Sequence, residues 1–259
     1  MGIDYSGQKL PPECERNCTF EWKSFDTTSQ PTSGSTAYNL RNMSHTGVWT
    51  NQQSQSPSGN QTPTISTING VSACQVYNGN NPTKWLRFPW LNTAFNNGTS
   101  VQSFMWWIYN NDNQAGNYHW GGLDGTPTWT NGGNLNTGSA SMCGIRSSQW
   151  ELIGHGFDHK MGDANDGTGR SRTSEWQCVI FTQDNDSAAV YIDGEKEGEV
   201  VYNGGKNTAS TNFFIGRSWG KEDLSGMSGY IAWSAYWKKR LTESDAAHIF
   251  HNSAKFFQR

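Results

Sequence analysis

Charge is scarce in this chain of 259 residues: Asp, Glu, Lys and Arg together make up 16%, and the formal net charge is −3. There is no dense basic run, which excludes nucleic-acid binding through a row of neutralised phosphates. No apolar stretch approaches the roughly 18–20 residues of a membrane-spanning helix. The opening MGIDYSGQKLPPECERNC has no apolar core of the kind a secretory leader carries. Cysteine is sparse too. The five present, Cys14, Cys18, Cys74, Cys143 and Cys178, cannot all pair within one chain. The Cys14/Cys18 spacing suits neither a zinc ribbon nor a redox pair, so reduced thiols are expected.

What the chain does have is Gly, Asn, Ser and Thr in quantity, and 13 tryptophans. That composition suits many short strands joined by turns, with aromatics supplying buried area. Strand signals recur as CTFEWKSF, ACQVY, KWLRF, VQSFMWWIY, NYHWGG, QWELIG, EWQCVIF, AAVYI, TNFFIG and GYIAWSAYW. Runs of this length between Gly/Asn/Asp turns predict an all-β, antiparallel two-sheet sandwich. Residues 26–66 are rich in Ser, Thr, Gln and Pro, and NQQSQSPSGNQTPT within them predicts an exposed loop. One helix is expected near the C-terminus. LTESDAAHIFHNSAKFF offers Thr242 as N-cap, then Ala246, Ile249 and Phe250 at helical spacing, and this short helix should pack on the edge of the sandwich.

AVYIDGEKEGEVV poses the sharpest question of function, because paired carboxylates are what glycosidases use. Asp193-Gly194 between two alternating runs signals a two-residue hairpin turn, since such turns need positive φ at both central residues. Period-2 geometry then predicts Glu195, Glu197 and Glu199 on one face of the returning strand, a row of like charges tolerable only in water.

The order of elements after this hairpin carries a resemblance. SEWQCVIFTQDNDSAAVYIDGEKEGEV, then FFIGRSW, then MSGYIAWSAYWKKRLTESDAAHIF, is similar to the C-terminal half of laminin G-like domains of the concanavalin A-like lectin/glucanase superfamily. The matching positions are Trp176, Tyr191 to Gly194, Ile215-Gly216, Gly229 to Ile231, Tyr236 and Leu241-Thr242. VQSFMWWIY resembles the central strand of the family and TFEWKSFDTTSQ its first strand. The chain departs from the family pattern at Gln177-Cys178-Val179, where His-His-Val is usual, and at Ala232, where Asp is common. The resemblance implies a concanavalin A-like jelly roll with one short C-terminal helix. In such a fold a curved sheet and one rim of loops bind ligands, often glycans and sometimes Ca²⁺. A single domain over residues 18–259 is expected, with residues 1–17 as a tail contacting a partner subunit.

Laminarinase-type glucanases on this fold carry Glu-x-Asp-x-x-Glu on one strand, and no such string occurs here. HGFDH, His155 to His159, resembles an inverted zincin motif, but Gly154 and Gly156 predict a loop, not the helix that chemistry needs. GDANDGTG places Asp163, Asn165 and Asp166, hard oxygen donors suited to Ca²⁺, in one loop. Trp90, Trp129 and Trp219 sit among turn residues, and Tyr118, His119 and Trp120 form an aromatic run before Gly-Gly. Each can stack on a sugar ring or plug the end of the sandwich. The reading is a non-catalytic recognition or structural protein at an exposed surface, extracellular or on a virion. Its expected partners are a glycan or host-surface polysaccharide and other copies or surface proteins. A lectin module of a secreted protein and a polysaccharide-active enzyme are the alternatives.

Overall fold

Strand β7, Gln102–Asn110, organises the architecture because both of its faces are apolar. Phe104, Trp106 and Ile108 enter one core while Met105 and Trp107 enter a second on the opposite side. A strand buried on both faces must lie in the middle of a layered structure. The computed structural model describes residues 9–50, 61–77, 84–89, 91, 94–95, 101–111, 118–124, 141–146, 149–154, 157–163, 174–201, 212–216 and 229–257.

Two antiparallel sheets result. In sheet A the order is β14 (Glu195–Val201), β13 (Ser187–Ile192), β12 (Trp176–Gln183), β7, β16 (Gly229–Trp237), β5 (Val71–Tyr77) and β4 (Thr64–Ile68). Strand β1 (Cys18–Lys23) pairs with the second half of β16, Trp233–Trp237, and β5 with the first. In sheet B the order is β11 (Phe157–Asp163), β10 (Gln149–Gly154), β9 (Ser141–Arg146), β8 (Tyr118–Asp124), β15 (Asn212–Ile215), β6 (Trp85–Pro89), β3 (Asn42–Thr50) and β2 (Thr36–Asn39). The expected jelly roll is therefore the observed fold.

Between the sheets lies an aromatic core. Phe213 of β15 stacks on Phe95 at 5.1 Å, and Phe20 of β1 meets Phe88 of β6 edge-on at 4.7 Å. The outer face of sheet A carries the second core. There helix α2 (Glu243–Phe257) presents Ala246, Ile249, Ser253 and Phe257 to small outward residues, Cys178, Ala189 and Ala235. These small side chains let the helix sit down on the sheet face, not on the edge where it was expected. Thr242 caps it as predicted: its hydroxyl accepts from the Asp245 amide at 3.1 Å, and the Asp245 carboxylate accepts from the Thr242 amide at 2.9 Å.

Residues 10–18, with Phe25, cover a further part of that face. The one-turn helix α1 (Pro12–Glu15) brings Cys14 beside α2, and the Trp237 indole donates to the Cys14 carbonyl at 2.7 Å. Leu10 and Cys14 are buried against their own chain. Of residues 1–17, expected to contact a partner subunit, residues 1–8 lie outside the described residues. All five cysteines are free and buried, and burial pushes the Cys14 thiol up to about 12.

Strands β2 and β3 lie inside the Ser/Thr/Gln/Pro-rich residues 26–66, just ahead of the expected exposed loop, of which residues 51–60 lie outside the described residues. Buried side-chain bonds support that stretch in place of a dense apolar pattern: Gln30 Oε1 accepts from the indoles of Trp22 at 3.3 Å and Trp49 at 2.7 Å. No helix among the described residues is long and apolar enough to cross a membrane.

Candidate functional site

The two outer faces of the sandwich differ. That of sheet A is sealed by α2 and the N-terminal segment, whereas no helix of the described residues packs on that of sheet B. In KWLRF, Leu86 and Phe88 fill the core, so alternation turns Trp85 and Arg87 to the outer face. In TNFFIG, Phe213 and Ile215 fill the core and Phe214 turns outward. The pairing registers place Val48 of β3, Arg87, Phe214, Gly122 of β8 and Met142 of β9 in one row across the sheet. Trp85 meets Phe214 edge-on at 4.8 Å.

The row depends on glycine. A Cβ at Gly121, whose φ is +154°, would stand 2.2 Å from the Phe214 carbonyl oxygen, so only glycine lets β8 approach β15 this closely. Gly122 then leaves the position beside the Phe214 ring without a side chain. Both rings are covered, Trp85 4% and Phe214 7% exposed, while Arg87 and Val48 of the same row are half-buried. Of this row it is therefore the half-buried Arg87 guanidinium that is left to bond the hydroxyls of a polyhydroxylated ring.

Of the residues singled out from sequence, Tyr118, His119 and Trp120 belong to β8, the strand beside Phe214. Tyr118 lies opposite Ile145 and His119 opposite Gly144, while Trp120 falls at the register shift before Gly121. Trp90 follows Pro89, which pairs with Asn212, itself opposite Asp124 at the far end of β8. Trp90, Trp129 and Trp219 lie outside the described residues. Asp163 closes β11 opposite Gln149, and its candidate co-ligands Asn165 and Asp166 lie outside the described residues. No cluster of three or more His, Cys, Asp or Glu side chains among the described residues could hold a metal ion. The loop reading of HGFDH needs correcting: Phe157, Asp158 and His159 are in β11, His159 opposite Leu152. Two glycines before a strand had disguised it.

The hairpin question resolves structurally. Asp193 and Gly194 take φ of +51° and +83°, as a two-residue reversal requires. β14 is the edge strand of sheet A, but it does not carry its glutamates in one row. A bulge sets Tyr191 opposite Lys196 and Val190 opposite Gly198, so Glu197 is the extra residue of the bulge. Glu195 then lies opposite inward-facing Ile192, and Glu199 opposite outward-facing Ala189. Glu199 bonds Lys196 at 3.0 Å and Arg240 at 3.1 Å, and these partners hold its carboxyl below its usual range against the effect of burial.

The sequence pattern missed Trp85, Arg87 and Phe214. The signal was present: two short strands each carry a large aromatic on the face opposite their core residues.

Comparison with known proteins places this architecture. Domain 4 of AbnA, a GH43 extracellular arabinanase from Geobacillus stearothermophilus, solved in complex with arabinotriose, superposes with a TM-score of 0.59 at 14% identity, covering 90% of this chain and 98% of that one. A botulinum neurotoxin type C structure, described as dependent for cell entry on two ganglioside molecules, gives 0.61 at 12% identity, over 91% of this chain and 51% of that one. Trypanosoma rangeli sialidase in complex with the inhibitor DANA gives 0.55 at 12% identity, over 89% of this chain and 32% of that one. At such identities the likeness is one of fold: a lectin-like architecture found in binding domains and in a sialidase alike. No curated protein matches the sequence. A profile of the laminin G type, described as the concanavalin A-like lectin/glucanases superfamily, matches residues 84–247. That match spans more than half of the sequence and includes β6, β8, β15 and the hairpin, and the chain therefore belongs to the laminin G-like family of the concanavalin A-like lectin/glucanases superfamily.

Proposed function

We propose that the chain is a non-catalytic carbohydrate-recognition module at an extracellular or virion surface, with its ligand on the outer face of sheet B. The observation that carries this reading is the inequality of the two faces. One is spent on α2 and the N-terminal segment, while the other carries no helix of the described residues and sets the half-buried Arg87 one strand away from the aromatic strand β8, across Phe214. Arabinotriose and gangliosides, named with the arabinanase domain and the toxin of this fold, both belong to the ligand class such a surface fits. The edge position of β14 and the separation of Glu195 from Glu199 favour recognition over cleavage. Glycan-array binding followed by calorimetry tests the reading. Arg87→Ala and Trp120→Ala should each weaken binding roughly tenfold or more, the scale of losing one buried hydrogen bond or stacking contact. Failure of the purified protein to bind any arrayed glycan, or release of reducing ends from one, overturns it.

A place as a decoration protein on a virion is the finer reading. It needs contacts between copies through the N-terminal residues. Light scattering showing an oligomer that becomes monomeric on deleting residues 1–8 supports it, and a monomer at every concentration removes it.

A further inference from the structure

His45 of β3 lies between the sheets, 5% exposed, ringed by Phe88, Phe95 and Phe20 at centroid distances of 5.3, 5.6 and 6.3 Å. Both of its nitrogens are engaged. Nε2 lies 2.7 Å from the Pro89 carbonyl, which can only accept, so Nε2 carries the hydrogen. Nδ1 is then a lone pair and accepts from the Asn39 amide nitrogen at 3.3 Å.

Asn39 cannot adapt. It is fully buried, and its Nδ2 also donates to the Thr19 carbonyl at 3.3 Å. Its Oδ1 accepts from the Glu21 amide at 3.1 Å and the Arg41 amide at 3.0 Å. Flipping the carboxamide would set its NH₂ against both of those donors. A neutral imidazole thus joins β1, the β2–β3 turn and the end of β6. Leu91, Ala94 and Phe95 join the same group: Phe95 packs on His45, the Thr19 hydroxyl donates to the Ala94 carbonyl, and the Phe95 amide donates to the Leu91 carbonyl at 2.9 Å.

We propose that His45 is a proton-operated latch: a proton gained on Nδ1 breaks its bond with Asn39 and loosens the hold on Pro89, Ala94 and Phe95. Protonation makes Nδ1 a donor facing a donor and leaves a charge among three phenylalanine rings. The neighbours from β1, β6 and the following segment are those rings, and the one from β2 is Asn39. No ionisable side chain among the described residues bonds His45. Glu21, Arg41, Glu15 and Lys23 lie beyond Asn39 and are paired with one another. Burial holds the imidazole below its ordinary value, opposed by the Pro89 bond. The latch is therefore fully closed above about pH 6.5, the ordinary histidine value, and opens as pH falls below it.

A consequence for ligand binding rests on the recognition role proposed above; the latch itself does not. The test is hydrogen exchange of the Ala94 and Phe95 amides at pH 7 and pH 5, corrected for intrinsic rates, together with NMR titration of the His45 ring. Protection of the Phe95 amide should fall roughly tenfold on acidification in the wild type and stay level in His45→Gln, whose carboxamide keeps a donor and an acceptor but takes no proton. Equal loss of protection in both proteins overturns the latch, as does a His45 ring titrating at or above the ordinary histidine value. Where His45→Gln does not fold, the ring titration and the accompanying shift of the Asn39 NH₂ resonance decide alone. Glycan affinity unchanged while the latch opens removes the ligand consequence and leaves the latch standing.

Discussion

Trp107 and Phe257 stack face to face, their ring centroids 4.1 Å apart and their planes within 8° of parallel. Ser253, one turn earlier on α2, accepts from the Trp107 indole at 3.1 Å. One strand residue thus holds the last turn of α2 by both stacking and a hydrogen bond. Phe257→Ala should cost about 3–5 kcal/mol, the range for emptying a buried aromatic site. Urea denaturation checks it, and a loss below about 1 kcal/mol would mean that the C-terminal turn is not held by this pair.

Gly194 has a Cβ position 3.1 Å from both the Ala247 Cα and the Phe250 Cβ, at φ +83°. Gly34 has the same φ and open space around it. Gly34→Ala should cost only the backbone strain, about 1 kcal/mol, and Gly194→Ala should exceed it by about 1–2 kcal/mol of crowding against α2. Equal denaturant midpoints for the two variants would show that the hairpin does not brace the helix.

Glu21 is buried between two cations, 2.9 Å from Lys23 and 2.6 Å from Arg41, while Lys23 lies 4.6 Å over the Trp233 ring. Removing one partner strands the others, so Glu21→Ala should cost about 3–5 kcal/mol. Glu21→Leu combined with Lys23→Met should cost less than either change alone, because Arg41 keeps Glu15 at 3.0 Å. A double-mutant cycle with no coupling would contradict this.

Asp245 gives a pH signature. Burial pushes its carboxyl up, but the Thr242 amide and the Lys239 ammonium outweigh that and hold it below the usual range. A depressed carboxyl contributes stability present above its unfolded value, about pH 4, and lost as pH falls through the folded value. Asp245→Asn should therefore cost about 1 kcal/mol at pH 7 and nothing measurable near pH 2. Thermal melts of both proteins from about pH 7 to pH 2 check the convergence.

Much of the fold was legible because its central strands advertise themselves. VQSFMWWIY, EWQCVIF and GYIAWSAYW are aromatic or β-branched along their length, and they became β7, β12 and β16. Strands β2 and β3 were not legible, since TAYN and NMSHTGVWT are held partly by buried amides and an imidazole that composition cannot tell from solvent-facing ones. The same blindness hid Glu21 and Lys23, which alternation alone would send to water. For the site, Tyr118, His119 and Trp120 were readable as an aromatic run, but their neighbour Phe214 emerges only when β15 and β8 are paired. The glutamate row failed for a local reason: a bulge cannot be counted from a period-2 pattern.

The closure of the outer face of sheet A by α2 also gives the protein a back and a front. A tether fixed near Phe257 would anchor the back and leave Arg87 and its neighbours turned away from the support. That orientation suits immobilised capture, and it equally suits display by a larger carrier whose cargo must face outward.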